Sequence, residues 1–221
     1  MEVIGKTLKN NKKEVLTDTN FGENQEKLKY IVVIGTSTGG PKALKKVISS
    51  IPPNVKAAFL VVQHMPSGFT KSLANRLDYV SMVKVKEAEE NEIIKCGHVY
   101  IAPGDFHLLV KKNSDNSLRI KLTKDPPVNG HRPSVDVLMR SVSETKLQNI
   151  IGVVMTGMGR DGSEGVKILK ELNKAYIIAQ DEKSSIVFGM PREAILKGVV
   201  DVVASLNEIA NEIMKIVGVH E

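Results

Sequence analysis

Five polar residues in this chain each follow a short apolar run, and together they carry a hydroxyl, an imidazole and three carboxylates. They are Ser37 after IVVIGT, His64 after LVVQ, Asp105 after VYIAPG, Asp161 after VVMTGMGR and Asp181 after YIIAQ. If the runs are parallel strands, these residues gather at the carboxyl edge of one sheet, where open α/β sheets bind ligands. A serine, a histidine and a carboxylate are what nucleophilic catalysis needs: an attacking hydroxyl, a base for its proton, and an anion that fixes the imidazole tautomer and stabilises its cation. Spacing alone leaves the carboxylate open among Asp105, Asp161 and Asp181.

The stretch KYIVVIGTSTGGPKALKKVI, residues 29–48, admits two readings. Gly35-Thr36-Ser37-Thr38-Gly39 has the G-x-S-x-G spelling of a nucleophile elbow, in which glycines allow a sharp turn from strand to helix that exposes the serine. The same glycines ahead of a helix could instead cradle a phosphate with backbone N–H groups. Against that reading, G-x-G-x-x-G is absent, no acidic residue about 20 positions on could hold a ribose, and the lysine-serine pair of a P-loop is missing. The order Ser37, His64, acid also departs from the α/β-hydrolase order, in which the histidine comes last; His220, at the C-terminus, is the only late histidine.

The elements that would position these residues follow from periodicity. Short apolar runs (31–34, 57–63, 149–157, 175–180) alternate with helical patterns, which predicts a doubly wound α/β fold with a mostly parallel sheet. Helices are expected after Pro41, over residues 70–81, from Pro133, around Val166, Leu169 and Leu172, after Pro191, and from Ser205, where Glu208 completes a capping-box pattern. Residues 98–127 differ. Alternating strands around the turn-rich NSDNS predict an antiparallel β-hairpin inserted in that plan. Residues 1–28 have no sustained apolar period and read as a linker or tail, leaving 29–221 as one domain.

Composition narrows the class. The 221 residues are 42% hydrophobic and 25% charged, ordinary for a soluble domain. No apolar run approaches a bilayer span, and the N-terminus carries no secretory segment, so no membrane insertion and a cytoplasmic location are expected. A single cysteine, Cys96, excludes an internal disulfide framework and reads as structural. The net charge of +6 favours an acidic partner. With 4% aromatics, no Trp and scattered lysines, an acidic protein surface fits better than nucleic acid.

Each candidate also has an ordinary structural explanation. Ser37 could be an N-cap, His64 a loop histidine, and Asp161 a cap for the helix that follows it. Their convergence at one sheet edge weakens all three. His98, His107 and His131 lack metal-ligand spacing to one another, so no metal is expected; His131 and Arg132 would precede a helix with Ser134 and Asp136 near its start.

Six ordered segments, IVVIGTSTGGPKAL, VVQHMPSGFTKSLANRL, HVYIAPGDFHL, DPPVNGHRPSVDVLMRSV, VVMTGMGRDGSEGVKILK and IAQDEKSSIVFGMPREAI, together resemble the catalytic domain of the chemotaxis protein-glutamate methylesterase (CheB) family, from about Tyr30 to the C-terminus. The resemblance selects Ser37, His64 and Asp161 as the triad and puts Met158 close to it. It implies hydrolysis of glutamate γ-methyl esters on the cytoplasmic helical bundle of methyl-accepting chemoreceptors, with deamidation of receptor glutamines as a second activity and no cofactor. The backbone N–H of Thr38 becomes a candidate oxyanion donor. Family members also carry an N-terminal receiver domain, for which residues 1–28 leave no room, so a catalytic fragment or a stand-alone member is expected.

Overall fold

The computed structural model describes residues 28–218. The expected linker or tail lies, apart from Leu28, outside these residues, as does His220. In chain order the elements are β1 (Tyr30–Thr36), α1 (Gly40–Ile48), β2 (Ala57–Gln63), α2 (Phe69–Val80), β3 (Lys84–Glu87), β4 (His98–Ile101), β5 (His107–Lys112), β6 (Leu118–Thr123), α3 (Val135–Glu144), β7 (Ile150–Val154), α4 (Ser163–Asn173), β8 (Tyr176–Gln180), α5 (Met190–Leu196), β9 (Val202–Ala204) and α6 (Ile209–Val217).

The apolar runs become strands because a parallel sheet covered on both faces can bury every side chain they carry. Along β1, Val32 and Ile34 point into a core shared with α1, α2 and α6, whereas Ile31 and Val33 point into a second core shared with α3, α4, α5 and the β5–β6 hairpin. The sheet is therefore doubly wound, as expected. Its order is β3-β4-β2-β1-β7-β8-β9, with every pairing parallel.

The chain runs outward from β1 through β2, then returns to β7 on the other side of β1. That reversal opens a crevice at the carboxyl ends of β1 and β7.

The antiparallel hairpin is confirmed over 107–123: β5 and β6 pair from His107↔Thr123 to Lys112↔Leu118, and the Asn113–Ser117 turn closes with an N–H to carbonyl bond of 2.9 Å, whereas residues 98–101, expected with it, are β4 of the parallel sheet. Leu108, Val110, Leu118 and Ile120 give it an apolar face that covers one side of the core. No helix among the described residues is long and apolar enough to cross a membrane.

Three details differ from the periodicity. Strands β3 and β9 escape it because they are short, and β3, with the sequence KVKE, is a charged edge that blunts further pairing. Leu172 is 68% exposed, while Asn173 is buried beside Val166 and Leu169. Two steps of three residues each fall about 60° short of a full turn at 3.6 residues per turn, which carries position 172 off the buried face. Helix α6 begins at Ile209 rather than Ser205. There the Ser205 hydroxyl and N–H both donate to the Glu208 carboxylate, so only the Glu half of the capping box forms, and residues 205–208 make a turn ahead of the helix.

Candidate active site

Ser37 stands one residue beyond β1, in a turn that the sequence makes tight. The Gly40 N–H donates to the Ser37 carbonyl at 2.8 Å, and Gly39, at φ 83°, takes the positive φ that the third position of a type II turn requires. A Cβ at Gly39 would also meet Ile186 at 2.7 Å. The N-cap of α1 is Gly39, so Ser37 is not a cap. Its hydrogen bonds run through the backbone, N–H to the Thr156 carbonyl at 3.0 Å and carbonyl to Gly40 N–H and Gln63 Nε2, which leaves the hydroxyl unengaged among the described residues.

His64 holds the matching place beyond β2, one step past the last register pair Thr36↔Gln63, and its N–H donates to the Thr36 carbonyl at 3.1 Å. Gln63 ties the two turns together by donating to both the Ser37 and His64 carbonyls, at 3.0 and 2.9 Å. The His64 ring bonds Asp161 Oδ2 through Nε2 at 2.8 Å. A carboxylate only accepts, so the proton sits on Nε2 and Nδ1 keeps a free lone pair. That Nδ1 is buried and has no hydrogen-bond partner among the described residues.

Of the three carboxylates, Asp161 is the one bonded to His64. It is 1% exposed and accepts four hydrogen bonds: from His64, from Val135 N–H at 2.7 Å, from Ser134 Oγ at 2.8 Å and from Asp136 N–H at 3.0 Å. Burial alone would raise its pKa, but these bonds outweigh burial and hold it below the ordinary carboxylate value. Asp105 is exposed on the wall of a cleft of about 300 Å³ that it shares with His64 and His131. Asp181 instead accepts the Ser184 N–H and hydroxyl and orders its own loop.

Asp161 does cap a helix, though not the one that follows it. The helix it caps is α3, and Asp136, in the first turn of α3, returns the favour by accepting Gly162 N–H at 2.9 Å and Gly165 N–H at 2.7 Å at the start of α4. Two helix N-termini thus exchange carboxylates, each anion favoured by the positive end of the partner helix. Burial, and then the charge of Asp161, push the Asp136 carboxyl up to about 6.

Between pH about 4, the unfolded value, and about 6, the folded chain holds a proton that the unfolded chain has released. Stability should therefore fall as pH rises through that window. Asp136→Asn keeps an acceptor for Gly162 and Gly165 but has no proton to bind, so it should flatten this limb in thermal unfolding measured from pH 4 to 7; equal slopes for the two proteins would contradict the assignment.

His131, expected only to precede α3, stacks its ring on His64 with centroids 3.8 Å apart and an interplanar angle of 13°. Burial, then the neighbouring His64, lower its pKa, so its neutral form is favoured. The signal for its placement lies in Asn129-Gly130. Both take positive φ, 52° and 79°, in a two-residue turn closed by paired Val128 and His131 backbone bonds, the Asn-Gly hairpin signature.

Ligand atoms of His64, His131 and Asp161 lie within 4.8 Å of one another. The two rings are nearly parallel, so their in-plane lone pairs do not converge on a single ion, and the Asp161 oxygens are already committed to four donors. His107, in contrast, is a buried structural residue that accepts Ser134 N–H at Nδ1 and reaches the Pro126 carbonyl through Nε2.

The loop after β7 closes the site from the other side. A Cβ on Gly157 would meet Ser37 Cβ at 2.8 Å and Met190 Sδ at 2.3 Å, so only glycine lets this backbone pass over the serine. Thr156, which sequence reasoning missed, anchors the crossing. Its carbonyl accepts Ser37 N–H and Thr36 Oγ1, while its hydroxyl donates to the Thr38 carbonyl and accepts Ile186 and Val187 N–H.

Thr38 and Met158 are exposed beside Ser37, with Met158 at 73%, and neither backbone N–H has a hydrogen-bond partner among the described residues. A phosphate cradle needs several such free groups from the glycine loop itself. Here Ser37 and Gly40 N–H are already spent on carbonyls.

Comparison with known proteins gives the chain's relatives. A family model described as CheB methylesterase matches residues 32–213. The protein-glutamate methylesterase/protein-glutamine glutaminase of Geobacillus kaustophilus is 50% identical over 188 residues, which is 85% of this chain and 54% of that protein. The protein of the same name from Halalkalibacterium halodurans is 52% identical over 187 residues, with the same shares of 85% and 54%. The crystal structure of the Thermotoga maritima CheB methylesterase catalytic domain superposes with a TM-score of 0.82 at 44% identity, covering 84% of this chain and 97% of that one. The chain thus spans about half the length of the curated relatives it matches.

Proposed function

Since this chain belongs to the CheB methylesterase family, we propose that it hydrolyses glutamate γ-methyl esters on the helical bundle of methyl-accepting chemoreceptors, with receptor glutamines as amide substrates. The observation that carries the reading is the 2.8 Å bond from His64 Nε2 to a buried Asp161, which leaves Nδ1 without a partner on a residue whose backbone N–H bonds the Thr36 carbonyl, one position before Ser37. Ser37 Oγ attacks the ester carbonyl carbon as His64 Nδ1 takes the hydroxyl proton, and Asp161 stabilises the resulting cation.

The oxyanion is received by the N–H groups of Thr38 and Met158, a role their lack of other partners supports. Collapse of the intermediate breaks the bond to the methoxy oxygen, and methanol leaves with the proton from His64. Water then attacks the acyl-serine by the same route and frees glutamate and Ser37. Residues 29–221 act as the catalytic domain and need no cofactor. The remaining half of the longer relatives would be the receiver domain that the resemblance implies, and the site of action is the cytoplasmic bundle, with neither nucleic acid nor membrane insertion involved.

The test is methanol release from methylated receptor, with ammonia release from glutamine-bearing receptor read beside it. Methanol above the level given by Ser37→Ala supports the reading; release at that level in both proteins refutes it.

A further inference from the structure

Helices α1 and α2 follow the Ser37 and His64 turns, and a surface groove of about 950 Å³ runs between them. Pro41 and Gly68, at the N-terminal ends of the two helices, wall its end nearest Ser37 and His64. Farther along it is lined by Lys42 and Lys45 from α1 and by Lys71, Arg76 and Tyr79 from α2.

Its charge is one-sided. Helix α1, GPKALKKVI, contains no acid, and the only acid of α2, Asp78, is occupied by Lys84 and by Val85 N–H. Among the described residues none of the four groove cations forms an ion pair. Tyr79, 91% exposed, and Phe69, 63% exposed, add apolar surface at opposite ends of α2.

We propose that the α1–α2 groove is the docking track for an acidic, amphipathic α-helix of the protein substrate, held by carboxylates on Lys42, Lys45, Lys71 and Arg76 and by an apolar side chain on Tyr79. The proposal rests on the esterase reading above and gives it a substrate determinant outside the reacting groups. The 12 residues of α2 extend about 18 Å, enough to lie along roughly three turns of a partner helix. Because the groove ends at Pro41 and Gly68, four residues beyond Ser37 and His64, a helix that runs along it and past that end would bring a side chain beyond its gripped acids toward the serine. Apolar anchoring with flanking charge is the usual grammar of a helix seated in a groove, and the charges would act mainly on encounter and KM.

The test reverses two groove charges, Lys45→Glu with Arg76→Glu, and compares this pair with an equal reversal on the distant hairpin, Lys111→Glu with Lys112→Glu. All four positions are exposed. The groove pair should lose about 10- to 100-fold in kcat/KM on methylated receptor, through KM and with a weaker salt dependence. It should keep wild-type turnover of a single-residue glutamate γ-methyl ester, and the hairpin pair should keep both activities.

Wild-type receptor turnover by the groove pair, or an equal loss in the hairpin pair, would overturn the groove. Binding to a soluble acidic receptor fragment is measured in parallel. A wild-type chain that binds the fragment through the groove but releases no methanol overturns the esterase reading and leaves the groove standing. Groove-dependent binding to receptor-free phosphatidylserine vesicles, with fragment binding unaffected, would assign the surface to lipid and overturn the proposal.

Discussion

Ser37→Ala should abolish methanol release, with kcat reduced on the order of 10³-fold or more, while leaving the fold as stable as the parent. The two halves of this expectation have separate grounds. Activity is lost because the nucleophile itself is removed: the neighbouring Thr36 hydroxyl is buried and spent on the Thr156 carbonyl, and Thr38 is a secondary alcohol outside the position of the turn that Ser37 holds. Stability is kept because the Ser37 backbone makes all of its hydrogen bonds, so removal of Oγ orphans no buried group. His64→Ala should lose about as much, and the double variant little more, since groups that act as one unit fail together. Single-turnover methanol release and thermal unfolding measured on the same preparations check both halves. A Ser37→Ala protein with even a tenth of parent activity would remove the serine from the mechanism.

Much of this site was legible in the sequence because β-α alternation turns chain position into spatial position. Ser37 and His64 follow strands that pair directly, and the shared register puts them side by side without any further contact being specified. The carboxylate was not legible by position. Asp105 and Asp161 both sit in loops at the same sheet edge, and what separates them is a hydrogen-bond set drawn from α3, a helix about 25 residues earlier in the chain than Asp161. An aspartate before a helix announces capping, but not which helix it caps.

Thr156 was missed for a related reason. As a buried polar residue inside a run that reads as strand, it gives no sign that its carbonyl and hydroxyl hold the Ser37 turn against the 184–188 loop. The His64–His131 stack requires the hairpin, the Asn129-Gly130 turn and α3 all to be in place. Local pattern specifies each of those elements and none of their mutual packing.

Asp161→Asn should be the second severe variant, and it should fail in a different way. The four donors around this carboxylate leave no place for an amide NH₂. With Nδ2 toward Ser134, the hydroxyl can turn to accept, but the Asp136 N–H at 3.0 Å then meets another donor. With Nδ2 toward His64, the Val135 N–H at 2.7 Å is orphaned, and the imidazole must move its proton to Nδ1, the nitrogen that has to receive the serine proton. The first arrangement costs about 1–3 kcal/mol for an unsatisfied buried donor, and the second adds the wrong tautomer. Activity should fall on the order of 10³-fold or more, as with the other members of the unit, and the melting temperature should fall with it, unlike in Ser37→Ala.

The acid side of the stability curve supplies an independent check. A carboxyl whose folded pKa is depressed contributes stability above its unfolded value, and that contribution is lost as pH falls through the folded pKa; Asp161→Asn should lack that loss. The same substitution removes the neighbouring charge that helps hold Asp136 up at about 6, so the Asp136 midpoint should move down. A variant with parent stability and an unmoved Asp136 midpoint would mean that the exchanged caps of α3 and α4 do not carry the coupling assigned to them.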